Sequence, residues 1–412
     1  MALGPPLRSA PRAQATTRRA TRRLDRAARA GGLLAVLWCL AGAGCGPPGD
    51  VARAGTTLLY VSNARDGTLT RIDAASGRVA GPALPAGEAP SRLVTGPEGA
   101  VLVQPARPPP VTGGTGAGLT RVVSTRDGGR ALPLPLEPGA RDPLIAGGGA
   151  SAAVAYQTAG GPAAGTGSRC RLARIDLEQG VIGPGRTVCA GRDSVVDLAA
   201  GGDGALVYLA LWRRPAAGQP CDAPTGSRVV ALLADTGALV ASAPLAGVPG
   251  PLLLAPAPDG ADQRVYAAEA VPAPDLAVPG EAPEACAWAA YGKRYEGARA
   301  WRVWALDATT LAPEGEHAVP AVPRALAATP DGADAFVLAG RATLYRLAPA
   351  GGPAAPFSAL PDRAFGLAAT DDQVFTLDVF GDRVWCLDRA SARVLRTIPT
   401  GRSPLGLVLA ER

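Results

Sequence analysis

The sequence predicts an all-β chain made of a repeated four-stranded unit, and three observations carry that prediction. Apolar or alternating runs of five to nine residues end at Gly, Pro, Asp or Asn clusters, which is the pattern of short antiparallel strands. Anchors recur at equal spacing: Ile72-Asp73 precedes Arg78-Val79 as Leu387-Asp388 precedes Arg393-Val394, and Gly87-x-x-Pro90 corresponds to Gly401-x-x-Pro404. A lone four-stranded unit could not bury both of its faces, so the units must stack on one another.

The first unit runs through a strand at Leu58–Asn63, a second at Gly67–Asp73, a turn at Ala74–Gly77, a third strand ending at Gly87, and an apolar run closed by Gly96-Pro97-Glu98-Gly99. Weaker copies show Ile175-Asp176, Asp235-Thr236-Gly237 and Leu306-Asp307, with Pro-Asp-Gly turns at 258–260 and 330–332. In this order of strands the chain resembles the YVTN-type (YncE-like) β-propeller repeat family, and Tyr60-Val61-Ser62-Asn63 is nearest to the motif that names it. The resemblance covers residues 57 to 412 and implies a fold, not an activity. The implied architecture is a seven-bladed β-propeller. Its innermost strands fall at Arg92–Gly96, Leu144–Gly148, Val195–Gly201, Leu252–Ala257, Ala325–Thr329, Phe365–Thr370 and Leu405–Glu411. The propeller opens on a second strand and ends on a first one. The two should pair within one blade and close the ring, which removes the open edge that threatens any all-β chain.

Residues 1–44 read as a leader. Eight arginines and Asp25 accompany an apolar run of 14 residues, Gly31 to Gly44, long enough for a signal sequence and short of the ~20 residues of a membrane span. Gly42-Ala43-Gly44 before Cys45 resembles a bacterial lipoprotein signal, in which Cys45 would be lipidated and become the first residue. The usual Leu three residues before that Cys is replaced by Gly42, with Leu40 two further back, and an ordinary signal peptide cleaved nearby is the other reading. The expected organisation is a signal peptide at 1–44, a flexible linker at 45–56 and the propeller at 57–412. The leader contributes +7 to a full-chain charge of +6, so the remainder is near −1. A high pI therefore says nothing here about nucleic acid, and none is expected as a partner. The expected location is the cell envelope, periplasm-facing or at the surface, with a lipid anchor as the only membrane attachment.

Cysteine usage agrees with export. Cys170 and Cys189 lie on the two arms of a hairpin turning at Asp176 to Gly180, close to opposite each other, and Cys221 and Cys286 lie in long irregular insertions of successive units. Disulfides 170–189 and 221–286 are the economical pairing in an oxidising compartment. Cys386 is left over, in an apolar run that reads as a buried strand. No CxxC, CxxCH or Cys/His cluster occurs, which argues against structural zinc and covalent haem, and no cofactor is expected.

Four long connections, Pro105–Gly118, Thr158–Ser168, Arg213–Ser227 and Ala270–Arg299, fall between the second and third strands of units two to five. Connections at equivalent places crowd one face of a propeller, and long loops on a rigid scaffold are where binding sites concentrate. Sequence drift in an Ala-, Gly- and Pro-rich chain is the competing explanation for any one of them. The largest holds Trp288, Tyr291, Lys293, Arg294 and Tyr295, which reads either as a recognition patch or as packing of the loop onto its neighbours. Arginines stand at the start of six of the seven innermost strands: Arg92, Arg141, Arg192, Arg324, Arg363 and Arg402. They could ring the channel mouth for an anionic ligand. Glu88, Asp142, Asp193 and Asp362 share those junctions and suggest instead a solvated, self-neutralising rim.

Catalysis has little support in the sequence. The only histidine, His317, falls in an outer strand and is expected at the surface, and no Gly-x-Ser-x-Gly elbow is present. Asp73, Asp176, Asp307 and Asp388 are expected to cap their own turns by bonding the backbone two residues on. The sequence therefore points to a non-catalytic, monomeric envelope propeller that binds a protein or a small ligand through its long-loop face. The alternative is a lactonase-like hydrolase using carboxylates and Arg at the channel mouth, because a related seven-bladed fold supports that chemistry.

Overall fold

Each repeat folds into a blade because its second strand is buried on both sides. In Thr57–Asn63 every residue after Thr57 is buried, and successive side chains point to opposite faces of the sheet. Tyr60 packs with Leu69, Leu84, Val101 and Val103, whereas Leu59 and Val61 pack with Phe375, Leu377 and Val384. One strand thus feeds the two cores on either side of its blade. The same holds around the ring: each of seven apolar clusters joins neighbouring blades. Burying one Leu or Phe side chain contributes roughly 1.5–3 kcal/mol, so both faces of every blade matter.

The computed structural model describes residues 57–106, 118–125, 128–148, 150–158, 169–201, 204–213, 226–257, 263–271, 300–361 and 363–411. These lie in one compact unit, Ala52–Arg412, and form seven sheets of four or five strands, antiparallel except for one short parallel pair in blade 5. The innermost strands are Pro404–Glu411 in blade 1, Pro90–Thr95 in blade 2, Ala140–Gly148 in blade 3 and Asp193–Ala200 in blade 4. Val248–Pro256, Pro323–Ala328 and Ala364–Ala369 serve blades 5, 6 and 7. The chain is a seven-bladed β-propeller, and the innermost strands fall where the apolar runs placed them.

Blade 1 is shared between the two ends of the chain. Thr57–Asn63 pairs antiparallel with Pro404–Glu411, with Leu59 opposite Leu409 and Tyr60 opposite Val408. On its other side it pairs with Thr68–Asp73. The ring is therefore closed by backbone hydrogen bonds and not only by side-chain packing.

His317 departs from expectation. It lies in Pro313–Val319 of blade 5 but is only 1% exposed. The reason is a fifth strand: Gly352–Pro353, from the outer part of blade 6, pairs in parallel with this segment and sets Gly352 opposite His317. A period-2 reading of blade 5 alone could not show a cover supplied by its neighbour.

Cys170 and Cys189 face each other across the hairpin of Arg169–Asp176 and Arg186–Ala190 and form a disulfide. Cys386 is free and buried, and burial pushes its thiol pKa up. The expected 221–286 disulfide and the lipidation position Cys45 lie outside the described residues.

Candidate functional site

A β-bulge interrupts the innermost strand of every blade. The extra residues are Leu405 in blade 1, Ser91 in blade 2, Asp142 and Pro143 in blade 3, and Val196 in blade 4. Gly250 and Pro251, Arg324 and Gly366 fill the same role in blades 5, 6 and 7. A bulge inserts a residue on one strand only, bends that strand and re-aims a side chain. Gly366 takes φ +59° to do so, a conformation that costs little only without a Cβ. In six blades the bulge faces a cavity of about 530 Å³ at the centre of the ring, lined by the leading ends of the innermost strands. That end of the molecule also carries the connections from second to third strands. The four long ones, following Pro105, Thr158, Arg213 and Val271, all leave their blades there.

Among the described residues none of blade 3 lines the cavity, and an ion pair spans that side of the ring. Arg92 of blade 2 reaches past blade 3 to Asp197 of blade 4 through Nη1, and its Nη2 donates to the Leu198 carbonyl at 2.8 Å. The second Asp197 oxygen accepts the Leu252 N–H of blade 5 at 2.7 Å. The Gly250–Pro251 bulge turns that N–H away from the sheet ladder. Three blades are tied together at one carboxylate.

The six arginines do not converge. Only Arg92 and Arg324 line the cavity. Arg324 occupies the bulge position of blade 6, nearly across the channel from Arg92, and its Nε donates to the Gly340 carbonyl at 2.5 Å. Arg141 and Arg192 are exposed on the rim. Arg363 lies over the Phe380 ring at 5.7 Å. Arg402 is bound to Asp66, whose oxygens accept its Nε and its backbone N–H at 2.6 Å each. These contacts hold Asp66 below the usual carboxylate range. Asp193 is buried at the base of the blade 4 insertion, where it accepts from Arg213 at 3.0 Å and Arg228 at 2.8 Å. The rim is largely self-neutralising. Trp288 and Tyr291 lie outside the described residues.

The opposite face is built of tight turns held by aspartates. Asp73 accepts the Ser76 N–H at 2.7 Å and Asp388 the Ser391 N–H at 2.6 Å. Asp176 accepts from Gln179 at 2.8 Å and Asp307 from Thr310 at 2.7 Å. The bonds reach the third residue on, with Asp307 also accepting from Thr309 two residues on. These carboxylates are turn caps. Among the described residues no group of three or more His, Cys, Asp or Glu could hold a metal ion, and Asp197 is the only carboxylate lining the cavity.

Asp197 and the bulges are what the sequence reading missed. Signals were present: Asp197 interrupts the apolar run Val195 to Ala200, and Gly250, Gly366 and Gly406 stand inside strands, where Gly often marks a bulge.

Fold and cavity together define a seven-bladed β-propeller with an open, mixed-character channel mouth. Among solved structures it is similar to a protein from Lactobacillus plantarum, with TM-score 0.54 and 11% identity, over 87% of this chain and 100% of that one. It is also similar to the dihydro-heme d1 dehydrogenase NirN in complex with DHE, with TM-score 0.52 and 13% identity, over 85% and 74% of the two chains. A third similar structure is apo AztD from Citrobacter koseri, with TM-score 0.51 and 14% identity, over 87% and 98%. At these identities the likeness concerns the fold. No protein-family model and no curated protein matches the chain.

Proposed function

We propose that this protein is an exported, non-catalytic envelope propeller of the YVTN-like type, tethered through Cys45, that binds an envelope protein or a small ligand through its long-loop face. The observation that carries the reading is the coincidence of four long connections with the channel mouth on one face of the ring. The Cys170–Cys189 disulfide supports an oxidising location. The lactonase-like alternative requires carboxylates converging at that mouth. Asp197, already engaged by Arg92 and the Leu252 N–H, supplies a structural tie and gains no support as a base. Site-specific photo-crosslinking in the native envelope tests the proposal. A photoreactive residue at Arg141 or Arg192 should yield adducts, whereas one at Gln179 or Thr309 on the tight-turn face should not. Adducts confined to the tight-turn positions would overturn it.

A further inference from the structure

The outer edge of blade 5 is covered by a strap from blade 6, and the strap lies over the one histidine of the chain. In sequence the strap is Ala348-Pro349-Ala350-Gly351-Gly352-Pro353-Ala354, with no ionisable side chain and with two glycines between two prolines. Gly351 and Gly352 take φ +87° and +106°, conformations that suit glycine. The two backbones meet at glycines: a Cβ on Gly315 would stand 3.3 Å from Gly351 Cα, and one on Gly351 would stand 3.2 Å from the Glu316 nitrogen. A small set of bonds holds the strap down. Gly352–Pro353 pairs in parallel with His317 and Ala318. The Ala354 N–H donates to the Ala318 carbonyl at 2.9 Å, and Arg264 Nη1 donates to the Pro349 carbonyl at 3.3 Å. Ala348, Pro349, Ala350, Gly352 and Pro353 are exposed, so lifting them forfeits little apolar burial. Segments of this kind open locally at far less cost than global unfolding.

His317 lies beneath the strap. Val303 stands opposite it on Ala300–Asp307, and cross-strand partners share a face. That face packs in the core shared with blade 6, which includes Tyr266, Tyr345 and Ala354. Neither ring nitrogen of His317 has a hydrogen-bond partner among the described residues. The acids of its own strand are engaged elsewhere: Glu314 accepts from Arg264 at 2.5 Å and Glu316 from Arg302 at 3.2 Å. Asp307, at the end of the third strand, caps its own turn. Burial, and then the Arg264 cation, disfavour the imidazolium. A proton on this ring therefore finds no anion ready to meet it. The core seals one side of the ring, and the strap, with Gly352 and Pro353 exposed, is the thin cover on the other. From this geometry we propose that the strap is an acid-released latch: protonation of His317 lifts residues 348–354 and uncovers the outer edge of Pro313–Val319 while the ring stays closed. An uncovered edge is a template for an added strand, so falling pH turns a covered blade into an open one. The latch does not depend on what the long-loop face binds.

The test is amide hydrogen exchange, read by mass spectrometry on the untagged protein at pH 7.5 and 5.5 and corrected for the chemical exchange rate at each pH. In wild type the segment 348–354 should lose about tenfold in protection, the bias that one histidine of ordinary pKa ~6.5 in the open state supplies. The segment 373–388 of blade 7 should keep its protection. His317→Leu should hold the strap equally at both pH values. Gly351→Ala, which leaves the histidine in place, should loosen the strap already at pH 7.5. It should also raise the titration midpoint of the single imidazole, followed through its C2–H proton resonance. Equal protection of 348–354 at the two pH values in wild type, an acid loss that persists in His317→Leu, or a parallel loss in 373–388 would each overturn the latch. An imidazole midpoint unmoved in Gly351→Ala would do the same, and that measurement stands even where His317→Leu does not fold.

Discussion

His317 is the only histidine of the chain, and neither of its ring nitrogens has a hydrogen-bond partner among the described residues. Burial disfavours its charged form, and the nearby Arg264 guanidinium adds to this, so its pKa lies below the usual value. Arg264 is held by Glu314 at 2.5 Å, which keeps that cation in place. The unfolded chain therefore binds a proton near pH ~6.5 that the folded chain refuses. Stability is fully present above that pH and falls as the pH drops toward the lowered folded value, by no more than about 1.4 kcal/mol per pH unit for one proton. Urea unfolding at pH 7.0 and 5.5 should show this loss in wild type and a much smaller one in His317→Leu. Equal losses in both would place the effect on the carboxylates. The sequence showed where this residue falls in its repeat but not that it is buried, because the covering strand Gly352–Pro353 belongs to another blade.

At the level of the element, the hairpin of Arg169–Asp176 and Arg186–Ala190 has an irregular register beside its cysteines, where Cys170 faces Cys189 and Arg171 faces Thr187. The disulfide spans 19 residues. Cross-linking a loop of about this length contributes roughly 3 kcal/mol, chiefly by restricting the unfolded chain. The double variant Cys170→Ser and Cys189→Ser should lose stability of that order in denaturant unfolding, with no change in far-ultraviolet circular dichroism. An undiminished midpoint would mean that the hairpin is held by its strand pairing alone. This pairing was legible from sequence because it is local. Two strands joined by a short turn fix which residues face each other, and the Asp176 and Gly180 turn sets the register. The bulges were harder to read. Gly366 and Gly406 hint at them, but Ser91, Val196 and Arg324 carry no local bulge signal and become extra residues only when paired with a particular second strand.

For the whole molecule the decisive contact is between the ends. Pro404–Glu411 supplies the innermost strand of blade 1, and Gly406 is held there by its N–H, which donates to Ser62 Oγ at 2.8 Å. A Cβ on Gly406 would collide with the Ser91 carbonyl, so two blades fix this strand at once. Deleting residues 404–412 should therefore destabilise the entire ring and not one blade alone. The expected outcome is a single cooperative unfolding transition at a markedly lower midpoint, with proteolysis throughout. A fraying confined to residues 57–85, with the other blades protected in hydrogen exchange, would show that closure is dispensable. By itself the sequence determined the strand runs, the seven-fold count, the pairing of the two ends, the local disulfide and the position of the long connections. These follow from apolar periodicity and turn chemistry, which act over a few residues, together with the need of each repeat to bury two faces. Only the tertiary structure decided that Arg92 crosses to Asp197, that Arg324 stands at the channel mouth, that the other arginines remain on the rim and that His317 is covered. Each of those depends on residues from different blades meeting at the axis or the edge of the ring, and such meetings are set by the packing of whole sheets.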